Sequence, residues 1–358
     1  MKAIIYTKYG PPEVLQIKEV EKPVPKNNEV LIKIFATTVN RTDCGFRKPE
    51  YPVIIRLVNG LFKPKKQILG SELAGVVEEI GSDVKLFKKG DEVFGLTGNN
   101  FGAHAEYICL PEDGAITKKP SNMSFEEAAA VCDGLMLAYN YIKEIKEPSG
   151  KKILIYGASG SIGTAAVQLA KYLGREIIIQ ENENYPINLS HVLNGAEVTA
   201  VCNTKNIELV KSLGADTVID YTKADFTKIN QTFDVVMDAV GKSSYFKCKN
   251  LLTPSGVYFS TDLGFLAQNP FLALWTSIFG KMPSGRKVLF PIPKEKKADI
   301  QFFKEIIEAG KYKAVIDRRY PLEEIVQAYK YVETEQKTGN VVITIKDNLQ
   351  AKAEAKDK

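Results

Sequence analysis

One stretch of the sequence decides the fold: Ile153-Leu-Ile-Tyr156 leads directly into Gly157-Ala-Ser-Gly160-Ser-Ile-Gly163, and an amphipathic helical pattern follows. The short apolar run is typical of a buried strand. Glycines allow a tight turn and a close approach of the backbone to a pyrophosphate, whose charge then lies at the N-terminus of the helix. Because strand, loop and helix come in the required order, the stretch predicts a dinucleotide-binding loop. Its predicted binding residues are Gly157, Ser159, Gly160, Ser161, Ile162 and Gly163.

The chain around this loop shows two kinds of pattern. After the loop, strand patterns at residues 197–201, 217–219, 233–240 and 256–260 alternate with helical patterns, which predicts a doubly wound parallel sheet. The first 120 residues instead contain short strand patterns separated by Gly and Pro clusters, which is typical of a mostly antiparallel barrel. A capping box at Ser124 and Glu127 begins a predicted helix over residues 125–145.

These patterns predict an α/β protein with two domains, as expected for a chain of 358 residues. The barrel domain is expected at residues 1–123 and 288–345, because the last helices and the last strand return to it. The dinucleotide-binding domain is expected at residues 124–287, with an inserted segment at residues 175–195. Residues 346–358 are almost all polar or Ala, which predicts a disordered tail.

The choice between NADP and NAD depends on the end of the second strand of the parallel sheet. A carboxylate there binds the ribose 2′-OH of NAD, whereas neutral and basic residues accommodate the 2′-phosphate of NADP. The pattern at residues 197–201 is followed by Asn203, Thr204 and Lys205, and Tyr221 comes after the next strand. These four residues predict NADPH as the cofactor. In the alternative, residues 176–180 form the second strand and the following Glu181 favours NAD.

Composition argues against several other classes of protein. A net charge of +5 gives no reason to expect a nucleic-acid partner. The apolar stretch at residues 265–279 is short and interrupted by polar residues, so we expect it to be buried or to line a pocket, with no membrane partner. The five dispersed cysteines include no C-x-x-C pair and indicate a reducing compartment, the cytoplasm, rather than a disulfide framework.

With the glycine loop behind a β-rich domain, the sequence resembles the medium-chain dehydrogenase/reductase superfamily, and within it the zinc-independent quinone oxidoreductase and enone reductase branch. The resemblance extends over residues 1–345 except 175–195. Besides the glycine loop it rests on Leu69-Gly-Ser-Glu-Leu-Ala-Gly75-Val-Val, Gly81-Ser-Asp-Val-Lys-Leu-Phe-Lys-Lys-Gly90-Asp-Glu-Val-Phe, Gly102-Ala-His-Ala-Glu-Tyr107 and Lys337-Thr-Gly-Asn340-Val-Val. It implies a GroES-like β-barrel domain, a Rossmann domain and a homodimer.

The resemblance also bears on metal binding. Zinc members of the superfamily have a Cys in the segment that matches Asn40-Arg-Thr-Asp43, and a His in the segment that matches Gly70-Ser71-Glu72. A catalytic zinc needs three protein ligands and an open position, and two of the usual three are replaced here by Asn40 and Ser71. We therefore expect no zinc. His104, Cys44 and Cys132 are expected to be packed side chains.

The resemblance assigns further site residues. Asn40 would hold the nicotinamide ribose or the substrate oxygen, and Asp43 and Tyr51 are further catalytic candidates. Arg47 is a candidate pocket residue. The expected cofactor-binding residues outside the glycine loop also include Val240 and Gly241, in the segment that begins at Asp238, and Asn340 in the last motif.

Two departures from the family bear on catalysis. The Tyr that often follows the Asn-x-x-Asp motif is replaced by Cys44-Gly-Phe46, and Met136 stands where a Thr often contacts the nicotinamide amide. Both departures concern the reaction rather than the cofactor loop.

Without a metal to polarise an alcohol oxygen, hydride transfer to an already electrophilic acceptor is the feasible reaction. The sequence therefore predicts an NADPH-dependent oxidoreductase that delivers hydride to a quinone or an α,β-unsaturated carbonyl compound. Three alternatives remain: a reductase of enoyl thioesters, a dehydrogenase of small aldehydes or alcohols, and an NADPH-binding scaffold or redox sensor with little catalysis.

Overall fold

The computed structural model describes residues 1–49, 56, 59–145, 150–182 and 195–346. Its strands, in chain order, are β1 (Lys2–Ile5), β2 (Gln16–Glu19), β3 (Glu29–Val39), β4 (Glu72–Ile80), β5 (Glu92–Leu96), β6 (Tyr107–Pro111), β7 (Ile116–Lys118), β8 (Lys152–Tyr156), β9 (Glu197–Cys202), β10 (Thr217–Asp220), β11 (Phe233–Asp238), β12 (Leu252–Ser260), β13 (Lys287–Leu289), β14 (Ile316–Pro321) and β15 (Asn340–Thr344). Its α-helices are α1 (Arg41–Arg47), α2 (Phe125–Ala129), α3 (Cys132–Ile142), α4 (Ser161–Asn182), α5 (Ile207–Ser212), α6 (Tyr245–Cys248), α7 (Gln268–Phe279), α8 (Lys297–Glu308) and α9 (Ile325–Glu333).

These elements form two compact units. Unit 1 contains the described residues of Met1–Asp133, Glu295–Gly310 and Ala314–Lys358, and unit 2 contains those of Gly134–Lys294 and Lys311–Lys313. The boundaries lie later in the chain than the domain boundaries expected at residues 123 and 287. The first difference arises because α2 packs against β3, β4 and β5 of unit 1. The expected tail lies outside the described residues except for residue 346.

Unit 1 is built on a sheet in the order β14-β15-β3-β4-β5-β7, with β6 also paired to β3. As predicted, the pairs are mostly antiparallel, and only β14 and β15 run parallel among the described strands of this sheet. The long strand β3 joins two sets of neighbours, because its first half pairs with β6 and its second half with β15. Alternate strand residues such as Ile32, Ile34 and Val77 point into one apolar core with Tyr329.

Unit 2 is built on a parallel sheet in the order β10-β9-β8-β11-β12-β13. The chain leaves β8 in one direction through β9 and β10, and in the other through β11, β12 and β13. In such sheets, ligands bind at the carboxyl ends of the strands where the order reverses. The register aligns those ends, because Tyr156 of β8 lies opposite Asp238 of β11, which lies opposite Ser260 of β12.

The second strand of this sheet is β9, as the sequence analysis preferred, because β9 pairs with β8 along its length. Residues 176–180, the alternative second strand, belong instead to helix α4, which continues to Asn182. Residues 175–182 of the expected inserted segment therefore continue helix α4, and residues 183–194 lie outside the described residues. Gly174 lowers helix stability by only about 1 kcal/mol, which is too little to end a long helix.

The helix predicted over residues 125–145 is two helices, α2 and α3. Its start is correct: Ser124 Oγ accepts from the Glu127 N–H at 3.2 Å, and Glu127 Oε2 accepts from the Ser124 N–H at 2.9 Å. The first helix ends at Ala129, and the N–H of the next residue, Ala130, donates to the carbonyls of both Glu126 and Glu127. A shared donor of this kind marks the tightening of a last helical turn.

Residues 265–279 were expected to be buried or to line a pocket, and the outward face of α7 is not buried. Only Asn269, Leu272 and Thr276 of this helix are buried. The two polar side chains turn inward, because Asn269 Nδ2 donates to the Asp262 carbonyl at 2.8 Å and Thr276 Oγ1 to the Val288 carbonyl at 2.5 Å. The exposed side chains are large and apolar: Phe271, Leu274, Trp275, Ile278 and Phe279. Within the described residues no helix is long and apolar enough to cross a membrane.

Candidate functional site

The glycine loop of unit 2 requires glycine at its first and last positions. Gly157 follows β8 directly and has a φ of +81°, in the left-handed region that favours glycine. A Cβ on Gly163 would lie 2.1 Å from the Gly157 carbonyl oxygen and 2.6 Å from Ala158 Cα. The first turn of α4, which contains Ser161, Ile162 and Gly163, therefore packs directly on the loop backbone.

Gly160 is different, because among the described residues beyond its chain neighbours only one atom would lie within 4 Å of a Cβ there. The nearest protein atom to a Cβ at Gly160 would be the Gly157 carbonyl oxygen at 3.5 Å. A backbone position open on one side, at the start of a helix, matches the close approach of a pyrophosphate. The N-terminal N–H groups of a helix have no acceptors within the helix and carry partial positive charge. The loop thus fits a dinucleotide, with Ser159 in the turn before α4.

The turn after β11 lies against this loop. Asp238 is fully buried and accepts hydrogen bonds from the N–H groups of Val240 at 3.2 Å, Gly241 at 2.9 Å and Ser243 at 2.7 Å. A Cβ on Gly157 would lie 2.4 Å from Val240 Cγ1. The structure therefore brings Val240 and Gly241 to the carboxyl edge of the sheet beside the glycine loop, and Asp238 shapes the turn that carries them.

The residues expected to bind a 2′-phosphate lie at the end of β9, and they have an acidic neighbour. Thr204 Oγ1 donates to Asp220 Oδ2 at 2.5 Å. The hydrogen bonds from Thr204 and Thr222 lower the pKa of the Asp220 carboxyl. Lys205 is exposed, and the Tyr221 N–H donates to the Cys202 carbonyl at 3.0 Å. The sequence pattern identified Tyr221 after β10 but not Asp220, the acidic last residue of that strand.

Asn203 is the remaining residue that was expected to bind the 2′-phosphate. Its side-chain Oδ1 is buried and has no hydrogen-bond partner among the described residues. A ligand donor or an ordered water would satisfy such an acceptor.

In unit 1, Asn40 and Asp43 form a capping box at the start of α1. Asn40 Oδ1 accepts from the Asp43 N–H at 3.0 Å, and Asp43 Oδ2 accepts from the Asn40 N–H at 3.0 Å. Asp43 Oδ1 also accepts from the Gly70 N–H at 2.9 Å. Asn40 Nδ2 in turn donates to Ser71 Oγ at 2.7 Å. The two positions at which the resemblance implies zinc ligands in other members are therefore adjacent and joined by a hydrogen bond.

Asp43 was expected to be a catalytic residue, but its side chain lies inside unit 1. Asp43 is fully buried, and both of its oxygens accept backbone hydrogen bonds. Burial raises the pKa of its carboxyl to about 7. Asp43 holds the α1 and β4 segments together, so the structure makes it a positioning residue rather than a group that faces a substrate.

Arg47, another polar candidate of this region, also differs from the expectation. Arg47 is fully buried: it donates to the Gly10 carbonyl, forms an ion pair with Glu333 and lies over the Tyr329 ring. It therefore supports the packing of α1 on α9 rather than lining a pocket. Tyr51 lies outside the described residues.

Comparison with known proteins decides the family. A model described as "Alcohol dehydrogenase GroES-like domain" matches residues 26–121, and one described as "Zinc-binding dehydrogenase" matches residues 213–343. The chain is 35% identical over 353 residues to 2-methylene-furan-3-one reductase of Solanum lycopersicum, covering 96% of this chain and 79% of the relative. The chain belongs to the medium-chain dehydrogenase/reductase superfamily.

Further similarities narrow the branch of the superfamily. An NADPH-dependent alkenal/one oxidoreductase (chloroplastic) of Arabidopsis thaliana is 30% identical over 353 residues, with 96% of this chain and 79% of that protein covered. The solved quinone oxidoreductase of Coxiella burnetii has a TM-score of 0.80 at 26% identity and covers 97% of this chain and 99% of its own. The protein is an oxidoreductase of the zinc-independent quinone and enone reductase branch, and its GroES-like and Rossmann folds are confirmed.

The barrel unit of this oxidoreductase contains a cluster of ionisable groups that sequence analysis missed. Glu72 is fully buried; its Oε1 accepts from Thr38 Oγ1, and its Oε2 accepts from the Asp133 N–H at 2.7 Å. Burial first and the charge of Asp133 second raise the pKa of Glu72, and burial raises the pKa of Asp133. Lys337 interacts with both carboxyls, and burial lowers the pKa of its amine. The available signal was a Glu at the first position of β4, directly before the apolar residues 73–77.

His104 is a packed side chain, as predicted. It is fully buried, and its Nε2 lies 2.9 Å from the Thr38 carbonyl, which makes Nε2 the protonated nitrogen. Its Nδ1 lies 3.4 Å from the Tyr329 hydroxyl. Cys44 and Cys132 are also buried. Among the described residues no group of three or more His, Cys, Asp or Glu side chains is arranged to hold a metal ion.

Asn340 begins β15 in unit 1. Its N–H donates to the Val315 carbonyl at 2.9 Å, and its Nδ2 donates to the same carbonyl at 3.2 Å. Its side chain is thus used to join β15 to the segment before β14.

Proposed function

We propose that this protein transfers hydride from NADPH to a quinone or an α,β-unsaturated carbonyl compound without a catalytic metal. The observation that carries the proposal is the hydrogen bond between Asn40 and Ser71, because it occupies the two positions where zinc members have ligands. Amide and hydroxyl groups bind organic oxygen well and are poor zinc ligands. The names of the relatives, an alkenal/one oxidoreductase, a methylene-furanone reductase and a quinone oxidoreductase, support these acceptor classes.

NADPH, when bound, supplies the hydride. The chain positions the reactants: the glycine loop at Gly157–Gly163 holds the pyrophosphate, and the turn at Val240 and Gly241 lies where the nicotinamide end is expected. The Asn40 amide has two donor hydrogens. It uses one on Ser71 and offers the other to the acceptor oxygen or the nicotinamide ribose. Asp43 fixes the Asn40 backbone, so the amide is pre-oriented for that contact.

NADPH is proposed over NADH because no carboxylate ends β9. Asn203, Thr204 and Lys205 follow that strand, and an exposed lysine with nearby hydroxyl and amide groups suits a 2′-phosphate. Asp220 opposes this preference through its negative charge, and it accepts a hydrogen bond from Thr204 Oγ1.

We also propose a homodimer, formed through the α7–β13 surface: the exposed apolar face of α7 and the neighbouring edge strand β13. Trp275, Ile278 and Phe279 are 40%, 66% and 61% exposed, and such patches on soluble proteins mark interfaces. Strand β13 is the last strand in the sheet order and can pair with a second copy of itself. Ile278→Lys is expected to convert the dimer to a monomer in sedimentation velocity. An unchanged dimer would contradict this interface.

A cytoplasmic location is part of the proposal. All five cysteines are free thiols in the structure, which fits a reducing compartment.

The test of the function follows NADPH and NADH oxidation at 340 nm by the purified protein, with a series of quinones, enones, an enoyl thioester and small aldehydes. We expect the highest kcat/KM with NADPH and either a quinone or an enone. A preference for the thioester or the aldehydes would show that the acceptor is not a quinone or an enone but belongs to the preferred class. Tight NADPH binding without turnover of any acceptor would favour the scaffold or redox-sensor alternative.

A further inference from the structure

Residues 60–65 of unit 1, which we call the 60–65 turn, expose two neighbouring apolar side chains. Leu61 is 55% exposed, and Phe62 is 88% exposed, the highest value of any large apolar side chain among the described residues. A phenylalanine can bury about 150–250 Å² of surface, so a phenylalanine left in water forfeits most of that stabilisation. Scattered single apolar residues are common on protein surfaces, whereas two adjacent ones at the tip of one turn indicate a contact surface.

The base of this turn is held firmly by buried polar groups. Asn59 is fully buried: its Nδ2 donates to the Tyr6 hydroxyl at 3.0 Å, and its Oδ1 accepts from the Lys66 N–H at 3.1 Å. The Gly60 carbonyl accepts from the Tyr9 hydroxyl at 2.8 Å. Movement of the base would leave some of these buried groups without partners, which is costly. The turn therefore cannot easily fold back to cover its own tip.

The turn is also closed on itself. Gly60 has a φ of +118°, and a Cβ there would lie 2.2 Å from the Lys63 carbonyl oxygen. The Lys65 N–H donates to the Asn59 carbonyl at 2.6 Å. Pro64 is buried, and its ring fixes its own φ. The tip is thus presented in one defined shape, and the surface that covers it is expected to come from outside the chain.

The side chains around the tip are basic. Lys63 and Lys65 are exposed members of the turn. Lys8 is also exposed, and its neighbour Tyr9 contacts the turn through the hydroxyl bond described above. No Asp or Glu occurs at residues 51–71 of the sequence. An apolar tip inside a basic surface is complementary to a partner that combines negative charge with an apolar layer.

An anionic lipid surface fits this combination better than an acidic protein. Lipid headgroups supply the negative charge, and the acyl boundary below them takes up aromatic and aliphatic side chains. A stable protein interface buries about 800 Å² on each partner, which is well above what Leu61 and Phe62 can offer together. The cytoplasmic leaflet of a membrane is the anionic one, which agrees with the proposed location.

We propose that the 60–65 turn docks this protein reversibly on an anionic lipid bilayer. Leu61 and Phe62 enter the boundary between headgroups and acyl chains, while Lys8, Lys63 and Lys65 contact the lipid phosphates. The contact is peripheral and differs from crossing the bilayer, for which no described helix is long and apolar enough. It goes beyond the expectation of no membrane partner, which was drawn from the apolar stretch at residues 265–279. Docking needs neither cofactor nor acceptor, so its failure would leave the proposed function untouched.

The first test measures cosedimentation of the full chain with vesicles of phosphatidylcholine alone and of phosphatidylcholine with about one third phosphatidylglycerol. We expect binding to the anionic vesicles only. Raising the salt concentration from about 0.05 to about 0.5 M is expected to weaken that binding at least about tenfold, because salt screens the lysine charges. Binding to neither kind of vesicle, or equally to both, would overturn the proposal.

The apolar tip is tested with the double variant Leu61→Ser/Phe62→Ser. The control is Val24→Ser, which removes an 80% exposed apolar side chain elsewhere in unit 1. The double variant is expected to bind anionic vesicles at least about tenfold more weakly, whereas the control changes the affinity less than about twofold. Thermal melting of each variant shows whether it is folded. Unchanged vesicle binding in the double variant would show that the tip does not enter the bilayer, and the proposal would be wrong.

The basic surface is tested with Lys63→Gln/Lys65→Gln. Lys88→Gln/Lys89→Gln is the matched control, because both pairs are exposed in unit 1 and both changes remove two charges. The first variant is expected to lower the affinity for anionic vesicles about tenfold or more, and the control less than about twofold. Equal losses in the two variants would show attraction by net charge alone and would contradict docking through this turn.

The depth of the tip is measured with Phe62→Trp, which keeps a large aromatic side chain. This variant is expected to bind anionic vesicles at least as tightly as the unchanged protein, because tryptophan favours the membrane interface. Its emission is expected to shift to shorter wavelength on binding. The unchanged protein is the control, since its only tryptophan, Trp275, lies in unit 2 and is expected to show no shift. Binding of Phe62→Trp without a shift would leave the tip in water and would overturn the proposal.

Discussion

The Asn40 side-chain amide donates a hydrogen bond to Ser71 Oγ at 2.7 Å, and this contact joins the start of α1 to the start of β4. Asp43 strengthens the same junction, since it accepts from the backbone of Asn40 and of Gly70. In a zinc member these positions would turn toward a metal. Here they form a neutral hydrogen-bonding site whose donor is held by the N-terminus of a helix.

Replacing Asn40 separates its structural role from its role in the reaction. Asn40→Ser keeps a capping side chain, whereas Asn40→Ala removes it, so Asn40→Ala is expected to be about 1 kcal/mol less stable in urea denaturation. Both variants lose the amide donor, and both are expected to lower kcat/KM for the acceptor by about 100-fold. The NADPH Kd is expected to change little if the amide contacts the acceptor oxygen, and to rise if it contacts the nicotinamide ribose. Full activity in Asn40→Ser would remove Asn40 from the reaction.

The glycine loop gives two different predictions, because Gly163 lies against protein backbone whereas Gly160 faces open space. A Cβ at Gly163 meets backbone atoms at 2.1 and 2.6 Å, so Gly163→Ala is expected to destabilise the protein as well as weaken NADPH binding. A Cβ at Gly160 meets no protein atom nearer than 3.5 Å. Gly160→Ala is therefore expected to melt within about 2 °C of the unchanged protein while the NADPH Kd rises at least about tenfold. Isothermal titration and thermal melting measure both quantities, and normal NADPH affinity in Gly160→Ala would contradict the loop assignment.

The choice of cofactor is expected to depend on two charges of opposite sign. Lys205→Glu is expected to lower the ratio of kcat/KM for NADPH over NADH by about tenfold or more, because it places a carboxylate beside the 2′-phosphate. Asp220→Asn removes the charge that accepts from Thr204 and is expected to raise the same ratio. Changes of equal sign in the two variants would show that this edge does not bind the 2′-phosphate.

The buried His104 is expected to make the free energy of unfolding fall as the pH becomes acidic. Burial lowers its pKa from 6.5 to about 4. An unfolded chain takes up the proton below about pH 6.5 while the folded protein does not, so the stabilisation is complete above that pH and is lost as pH falls toward 4. His104→Gln keeps a donor for the Thr38 carbonyl and cannot titrate. Between pH 7 and pH 4 the unchanged protein is expected to lose about 3 kcal/mol more of its free energy of unfolding than His104→Gln. Parallel pH profiles would contradict this.

Much of the fold was predictable because local signals agreed with each other. The apolar β8 sequence, the glycine loop and the helix after it identified the parallel sheet, and the capping box at Ser124 marked the start of α2. The strand β9 was preferred correctly because a helix and a glycine follow it. These are short-range features, and neighbouring residues are enough to specify them.

The errors involved long-range contacts that no local pattern contains. The partners of Asp43 and Glu72 come from distant parts of the chain, at Gly70 and Asp133, so the residues around them in the sequence gave no sign that these side chains are fully buried. The helix α7 is apolar on almost every side, and its inward face is set by the hydrogen bonds of Asn269 and Thr276. Hydrophobicity alone could not select that face.

The central claim is that hydride leaves NADPH for an electrophilic acceptor without a metal. The most direct measurement determines zinc in the purified protein and follows NADPH oxidation with a naphthoquinone and a small enone, before and after exhaustive treatment with a chelator. The predicted result is turnover that the chelator leaves unchanged, in protein with far less than one zinc per chain. Loss of turnover after chelation, with recovery when zinc is returned, would contradict the assignment of Asn40 and Ser71 as a metal-free site.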